Sequence, residues 1–162
     1  MIERTLVLLK PDAVKRGLMG RILSRFEDAG YKVAGAKMVW ITEDLGRKHY
    51  FDVAQRRGEK VLKALLKFMT NGPVMALCLE GINAVDGVRK MAGSTEPKQA
   101  LPGTIRGDFA HISFAHADKE DKAIENLIHA SGNVGEAKQE VALWFKPEEL
   151  HSYKIAHQEH VF

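Results

Sequence analysis

The pattern of apolar and polar positions along the chain predicts strands that alternate with helices. Residues 5–9 form a continuous apolar run with β-branched members, which is typical of a buried strand. Residues 32–40 are predicted as a second strand, residues 74–79 as a third, and residues 110–114 as a fourth. Residues 93–108 are rich in glycine and proline with few large apolar side chains, so we expect a long ordered loop with a functional role.

Apolar residues at helical spacing predict the helices between these strands. The sets are Leu18, Ile22, Leu23 and Phe26, ended by Gly30; Val61, Leu65, Phe68 and Met69, after a break at Gly58; Val85, Val88, Met91 and Ala92; and Val134, Ala137, Val141 and Trp144. Thr42 is the expected N-cap of a further helix that continues past His49 and Tyr50, and Asn133 with Glu136 resembles a capping box.

The order of elements, apart from the extra helical segment at 42–57, is βαββαβ. This order predicts an α+β fold of the ferredoxin-like type, with a four-stranded antiparallel sheet and helices packed on it.

Length and composition limit the class of protein. The 162 residues, 45% apolar and 28% charged, predict one globular domain over residues 1–162. Cys78 is the only cysteine, so an internal disulfide and a cysteine-rich zinc site are excluded. The N-terminal apolar run is too short for a signal peptide and no run is long enough to span a membrane, so we expect a cytoplasmic protein.

The net charge of the chain gives only weak information about its binding partners. Lys and Arg total 24 against 21 Asp and Glu, for a net charge of +3, and the excess is spread along the chain. A nucleic-acid partner is therefore not expected. The charge is compatible with a pocket for a nucleotide and equally with a slightly basic surface.

His129 is the unusual histidine of the seven. It follows Leu127 and Ile128 and precedes the start of a predicted helix, where backbone N–H groups favour a phosphate. Glu140 lies at the border of that helix's apolar face and could accept from one ring nitrogen, which would leave the other nitrogen with a free lone pair. The alternatives are a half-buried structural histidine and a solvated glutamate.

Cationic and hydroxyl side chains complete the candidate chemistry. Arg89, near the end of its helix, and Arg106, in the glycine-rich loop, offer planar donors matched to phosphate oxygens, and Lys10 follows the first strand. Thr95 and Ser131 are either phosphate donors or turn residues. A P-loop, an H-E-x-x-H helix and a G-x-S-x-G elbow are absent, and no residues are expected to ligate a metal directly.

Several motifs together resemble those of the nucleoside diphosphate kinase family. They are Glu3-Arg4-Thr5 with Lys10-Pro11-Asp12, Arg16-Gly17-Leu18, His49-Tyr50, Ser94-Thr95, Pro102 to Asp108, Asn126 to Ser131, Glu140 to Phe145, and Pro147 to Leu150. The resemblance runs from Glu3 to about Tyr153, and the combination of the Pro102 stretch with the histidine motif is specific.

The resemblance implies a ferredoxin-like fold, assembly as homo-hexamers or homo-tetramers, and magnesium held mainly by nucleotide phosphates. It implies transfer of a γ-phosphate, typically from ATP, to a nucleoside diphosphate in a ping-pong cycle through a phosphohistidine at His129. The phosphate-binding residues that it implies are Lys10, Arg89, Thr95 and Arg106. Lys10 and Asn126 would also reach the ribose hydroxyls, Glu140 would orient His129, and Tyr50 would pack near the phosphates.

Three departures from the family pattern bear on nucleotide binding. Val61 stands where the family has a base-stacking phenylalanine, and the preceding residues 55–60 are altered. Gly132 stands where the family commonly has an aspartate, which affects the charge near the metal. Extra residues around 114–124 precede the histidine motif and are expected to form a surface hairpin or to alter subunit contacts.

Two other classes of function remain open at the level of sequence. A catalytically weakened, regulatory nucleotide-binding module of the same fold would retain the pocket and lose transfer. A nucleic-acid-binding protein is disfavoured by the small charge excess and by the lack of aromatic residues interleaved on a basic strand.

Overall fold

The computed structural model describes residues 1–162 and contains one four-stranded sheet. The strands are β1 (Ile2–Leu9), β2 (Lys32–Val39), β3 (Val74–Ile82) and β4 (Ile128–Ala130). Their order across the sheet is β2-β3-β1-β4, and every neighbouring pair is antiparallel. The predicted ferredoxin-like α+β fold is therefore confirmed.

Ten α-helices and two short 3₁₀ helices surround the sheet. They are α1 (Pro11–Lys15), α2 (Met19–Asp28), α3 (Glu43–His49), α4 (Val53–Arg57), α5 (Glu59–Met69), α6 (Ala84–Ala92), α7 (Ile105–Phe109), α8 (Phe114–Lys119), α9 (Val134–Trp144) and α10 (Gln158–Val161), with 3₁₀ turns at Pro97–Gln99 and Pro147–Glu149. The loop predicted over residues 93–108 thus contains a 3₁₀ turn and most of α7.

The central strand β1 divides the core into two layers. Leu6 and Leu8 face one layer, which includes residues of α5 and α9, and Val7 and Leu9 face the other, which includes residues of α2 and α6. All four side chains are fully buried, as the continuous apolar run predicts for a strand covered on both faces.

The fourth strand was placed wrongly by the sequence pattern. Residues 110–113 form no strand and Phe114 begins α8, whereas β4 comprises only Ile128–Ala130 and pairs with β1 alone. A strand of three residues is too short to show a periodic pattern of apolar positions. It forms because it pairs with β1, which lies more than a hundred residues earlier in the chain. The strand starts after Leu127, whose φ of +71° is rare for a leucine.

Two helix predictions need correction. The helix that begins after Thr42 ends at His49 and does not continue past Tyr50, although Thr42 caps it as expected by accepting the Leu45 N–H at 3.2 Å. In α5 the buried residues are Leu62, Leu66 and Met69, so of the predicted face only Met69 is fully buried, while Leu65 and Phe68 pack partly buried against the core. Val61 is 41% exposed, because it is rotated about 100° around the helix axis from Leu62.

The additional segment 114–124 forms a short helix rather than a hairpin. Ser113 caps α8 by accepting the His116 N–H at 3.2 Å, and the Phe114 N–H donates to Glu96 Oε1 at 2.9 Å. The helix ends at Lys119. Its role in subunit contacts stays a prediction.

Candidate active site

β4 and α9 bring His129 and Glu140 together. The Nε2–H of His129 donates to both carboxylate oxygens of Glu140, at 2.9 and 3.1 Å. The side chains are 21% and 14% exposed, so the pair is largely shielded while the imidazole remains accessible. The hydrogen bond selects one tautomer and leaves Nδ1 as an unprotonated nitrogen without a protein partner.

Ser131 holds the carboxylate of this pair in place. Its hydroxyl donates to Glu140 Oε2 at 2.5 Å and accepts the backbone N–H of Leu6 at 3.2 Å. The side chain is fully buried, so the expectation that Ser131 is a phosphate donor or a simple turn residue is wrong. It is a positioning residue that the sequence reasoning missed, although it follows His129 by two residues, and strand alternation continued one residue past β4 places both side chains on the same face.

A second histidine lies against the first. The ring of His49 packs edge-on against that of His129, with centroids 4.5 Å apart, and Trp144 donates to His49 Nδ1 at 3.2 Å. Burial, reinforced by the charges of His129 and Lys10, holds the pKa of His49 well below its usual range. His49 therefore stays neutral, and it contributes a rigid wall that the sequence reasoning did not assign.

Some backbone N–H groups at the start of α9 already donate to side chains of the same turn. The Gly132 N–H donates to Glu136 Oε2 at 3.1 Å, and the Glu136 N–H donates to Asn133 Oδ1 at 2.9 Å, which confirms the capping interaction between Asn133 and Glu136. Because these N–H groups already have partners, they are less available to bind a phosphate than the sequence predicted. The cationic side chains around the cavities are therefore the better candidates for binding an anion.

Two adjoining cavities meet at His129. The larger has a volume of about 930 Å³ and the smaller about 420 Å³. Four of the residues predicted for the site line both: Lys10, Thr95, Asn126 and His129. The larger cavity adds Tyr50, Val61 and Glu140, and the smaller adds Arg89 and Arg106. The structure therefore brings all nine predicted site residues to one connected region.

Lys10 and Asn126 belong to a buried chain of hydrogen bonds. Lys10 Nζ donates to Asn126 Oδ1 at 2.7 Å, and Asn126 Nδ2 donates to the carbonyl of Thr95 at 2.7 Å. Burial and, next, the charge of Arg106 lower the pKa of Lys10 to about 7. An anion placed here would be attracted by two cations that are short of negative partners.

Arg106 is the most firmly held cation of the site. Its three guanidinium nitrogens donate to the backbone carbonyls of Asn126, Gly93 and Ile128, at 3.1, 2.9 and 2.6 Å. Because these partners are neutral, burial and the nearby charge of Arg89 lower the pKa of Arg106 to about 10. Arg106 lies in α7 rather than in a loop, which fixes its direction toward the smaller cavity.

Asp12 fixes the backbone that carries these groups, and the sequence reasoning gave it no separate role. Its Oδ2 accepts the Leu127 N–H at 3.0 Å, and the Lys10 N–H donates to the Leu127 carbonyl at 2.8 Å. Burial raises the pKa of Asp12, and the charge of Lys10 opposes that rise. These bonds hold Leu127 in its left-handed conformation, directly before β4.

Tyr50 lines the larger cavity with a buried ring, and its hydroxyl has no hydrogen-bond partner. Burial raises the pKa of this phenol above its ordinary value, with a contribution from Glu140, so the hydroxyl stays protonated and can donate. The ring therefore forms part of the cavity wall, with its hydroxyl enclosed by protein.

The fold and the site define a ferredoxin-like α+β protein with an oriented histidine between two cation-lined cavities. The family model described as nucleoside diphosphate kinase matches residues 3–150. Curated relatives with that description are 51% identical over 154 residues in Pyrococcus horikoshii, covering 95% of this chain and 92% of the relative, and 45% identical over 156 residues in Borreliella burgdorferi, covering 95% and 93%. The chain belongs to the nucleoside diphosphate kinase family.

A solved structure supports the same assignment at the level of the backbone. The transition-state mimic of the Borrelia burgdorferi enzyme with bound vanadate and ADP has a TM-score of 0.96 and 43% identity, covering 99% of this chain and 96% of that one.

None of the helices described above combines the length and the apolar character needed to cross a bilayer.

Proposed function

We propose that this protein is a nucleoside diphosphate kinase that transfers the γ-phosphate of a nucleoside triphosphate, typically ATP, to a nucleoside diphosphate through a phosphohistidine at His129. The observation that carries the proposal is the bond from His129 Nε2 to Glu140, since it leaves Nδ1 as the free nucleophile where the cavities meet.

In the first half-reaction the Nδ1 lone pair of His129 forms a bond to the γ-phosphorus. The bond from that phosphorus to its bridging oxygen breaks, and its electron pair leaves with the nucleoside diphosphate. The ring then carries a positive charge that the Glu140 carboxylate offsets at 2.9 Å. A second nucleoside diphosphate attacks the same phosphorus and restores the neutral imidazole, so no other co-reactant is needed.

The remaining site residues bind and orient the substrate. Arg89, Arg106 and Thr95 are placed to hold phosphate oxygens in the smaller cavity. Lys10 donates to Asn126 Oδ1 at 2.7 Å and keeps further N–H groups for phosphate, and the two side chains together would reach the ribose hydroxyls. Tyr50, whose buried ring lines the larger cavity, would pack near the phosphates.

Magnesium would be held mainly through the nucleotide phosphates, where it would neutralise the charge that develops during transfer. The residues present fit this mode. Glu140 is already engaged by His129 and Ser131, and Glu136 extends its carboxylate over Gly132 at the edge of the larger cavity. Glu136 therefore supplies negative charge near the position where the family commonly has an aspartate.

Assembly, domain organisation and location form part of the proposal. We expect one domain over residues 1–162 that assembles as a homo-hexamer or homo-tetramer in the cytoplasm. The exposed apolar side chains of Met38 and Trp40, on and just beyond the edge strand β2, support self-association. Light scattering of the purified protein checks the oligomeric state.

The function is tested by a two-step transfer. Protein is incubated with γ-labelled ATP and magnesium, freed of nucleotide, and then mixed with GDP. We expect acid-labile label on the wild type and on His111→Ala, which changes an exposed histidine outside both cavities, and none on His129→Ala. The label should pass to GDP. Bound nucleotide without labelled protein would instead support the catalytically weakened binding module.

A further inference from the structure

We infer that Phe114, at the start of α8, is the aromatic surface on which the nucleobase stacks, and that Val61 completes this apolar end of the cavity. The inference rests on the proposed function, because it takes a nucleotide as the ligand. It assigns a substrate-binding role to the additional segment at 114–124.

The two ends of the larger cavity differ in chemistry. Lys10, Asn126 and His129 line the end that it shares with the smaller cavity, where a phosphate chain is favoured. Away from that shared region its lining includes apolar side chains from two segments, Val61 on α5 and Phe114 on α8. A nucleotide that places its phosphates at the shared region can direct its base only into the larger cavity. The volume of about 930 Å³ accommodates it.

The backbone that carries Phe114 is held in place before any ligand arrives. Its N–H donates to Glu96 at 2.9 Å, Ser113 caps the helix, and Ala117, one turn later, is buried. The competing aromatic residue at this cavity, Phe51, is 72% exposed and lies in the turn between α3 and α4. A fixed ring binds a planar base with less loss of side-chain entropy than a mobile one.

Two contacts join α8 and the residues after it to the junction of α4 and α5. The guanidinium of Arg57 lies over the Phe114 ring at 5.8 Å, and Lys60 forms an ion pair with Asp121 at 2.7 Å. Because these contacts connect the segments that carry Phe114 and Val61, they set the width of the apolar end. The ion pair is exposed, so salt weakens it and the width can adjust to a purine or a pyrimidine.

The chain offers a matched control for Phe114. Phe109 is also half-buried and also lies under guanidinium groups, those of Arg21 and Arg25, but it lines neither cavity. Phe114→Leu and Phe109→Leu therefore make the same change in comparable surroundings. Phe114→Tyr keeps the aromatic face and should retain binding.

The test measures ADP and CDP binding by calorimetry together with KM for GDP and CDP. Loss of one stacking contact should weaken purine binding roughly tenfold in Phe114→Leu, with a smaller effect on CDP, since a larger base has more stacking surface. The effect should fall on KM rather than kcat, and Phe109→Leu and Phe114→Tyr should resemble the wild type.

Equal nucleotide affinities in Phe114→Leu and the wild type would overturn the inference. Phe114→Trp gives a second readout if the leucine variant does not fold, because stacking of a base should quench the new tryptophan, and unchanged fluorescence on saturation with ADP would also overturn it. Labelling of His129 is measured in the same preparations. Normal labelling with unaltered binding would refute only the role of Phe114, whereas absent labelling in the wild type would refute the transfer function and leave the binding result valid.

Discussion

The end of the site proposed to receive phosphate and the end proposed to receive the base are built by different means. At the phosphate end, Lys10, Arg106 and Asn126 are buried and joined to strands and to the segment before β4 by short hydrogen bonds. At the base end, Lys60 and Asp121 are 83% and 73% exposed and meet in one surface ion pair. The first end is rigid and the second is adjustable.

This difference fits the two demands of the proposed reaction. Phosphoryl transfer is common to every nucleotide substrate and requires fixed charges around one nucleophile. The bases differ in size and polarity, so a weakly joined pair of segments can bind several of them. Substitutions at the phosphate end should therefore reduce the rate of transfer, and those at the base end should change affinity.

Replacement of Arg106 should have the largest effect. Arg106→Met removes a positive charge from the smaller cavity and leaves three carbonyls without their donor, so transfer should fall roughly 1,000-fold. Single-turnover labelling of His129 checks the rate, and circular dichroism checks the fold. Arg21→Met, at an exposed arginine outside both cavities, is the control. Equal rates in the two variants would contradict a rigid, charge-based phosphate end.

Glu140→Gln should reduce kcat roughly 100-fold with little change in KM. The amide can donate to Nε2 and so allows the tautomer that protonates Nδ1, which removes the nucleophile. Steady-state kinetics at saturating nucleotide measure this effect, and Glu148→Gln, outside both cavities, is the control. An unchanged kcat would show that the carboxylate does not orient the imidazole.

Lys10 should make stability depend on pH in the absence of nucleotide. Its pKa is lowered to about 7 in the folded protein from 10.5, so above pH 7 the unfolded chain binds more protons. The free energy of unfolding should therefore rise with pH, by about 2 kcal/mol from pH 7 to pH 9.

Urea unfolding of the wild type and Lys10→Met at both pH values measures this contribution. The rise should be smaller by that amount in the variant, because methionine has no proton to bind. An equal rise in both proteins would mean that Lys10 keeps an ordinary pKa and that the phosphate end is more hydrated than its burial indicates.

The smallest effect is expected at the base end. Lys60→Ala breaks the ion pair with Asp121 and should change the free energy of unfolding by less than about 1 kcal/mol. KM for nucleotides should become less sensitive to salt, which kinetics in increasing NaCl would detect. A large loss of stability would show that the base end is as rigid as the phosphate end.

Most of the fold could be predicted because β1 and β3 contain long apolar runs and β2 lies between the helix stop at Gly30 and the N-cap at Thr42. β4 could not, since its three residues depend on β1 and on the conformation of Leu127. Residues 110–114 have strand-like composition, but a serine cap and a bond to Glu96 favour a helix from Phe114. Tertiary context overrides local propensity at both places.

The sequence predicted those site residues whose side-chain chemistry is typical of phosphate transfer, such as a nucleophilic histidine and its carboxylate partner. Helix position made a bond from His129 to Glu140 possible without deciding for it, the resemblance of the motifs implied it, and the structure has that contact. The supporting roles of Ser131 and His49 depend on which way each side chain points after folding. The role proposed for Phe114 depends on where the fold places α8 beside the larger cavity, which the Ser113 cap alone does not determine.

The most direct test of the account is to identify which nitrogen of His129 carries the phosphoryl group. Phosphorus and nitrogen NMR of the labelled protein distinguish the two phosphohistidine isomers. Because Glu140 holds Nε2 through its hydrogen bond, the account predicts phosphorylation at Nδ1 of His129. A phosphoryl group on Nε2, or on another residue, would contradict the assignment of Nδ1 as the nucleophile and with it the proposed relay.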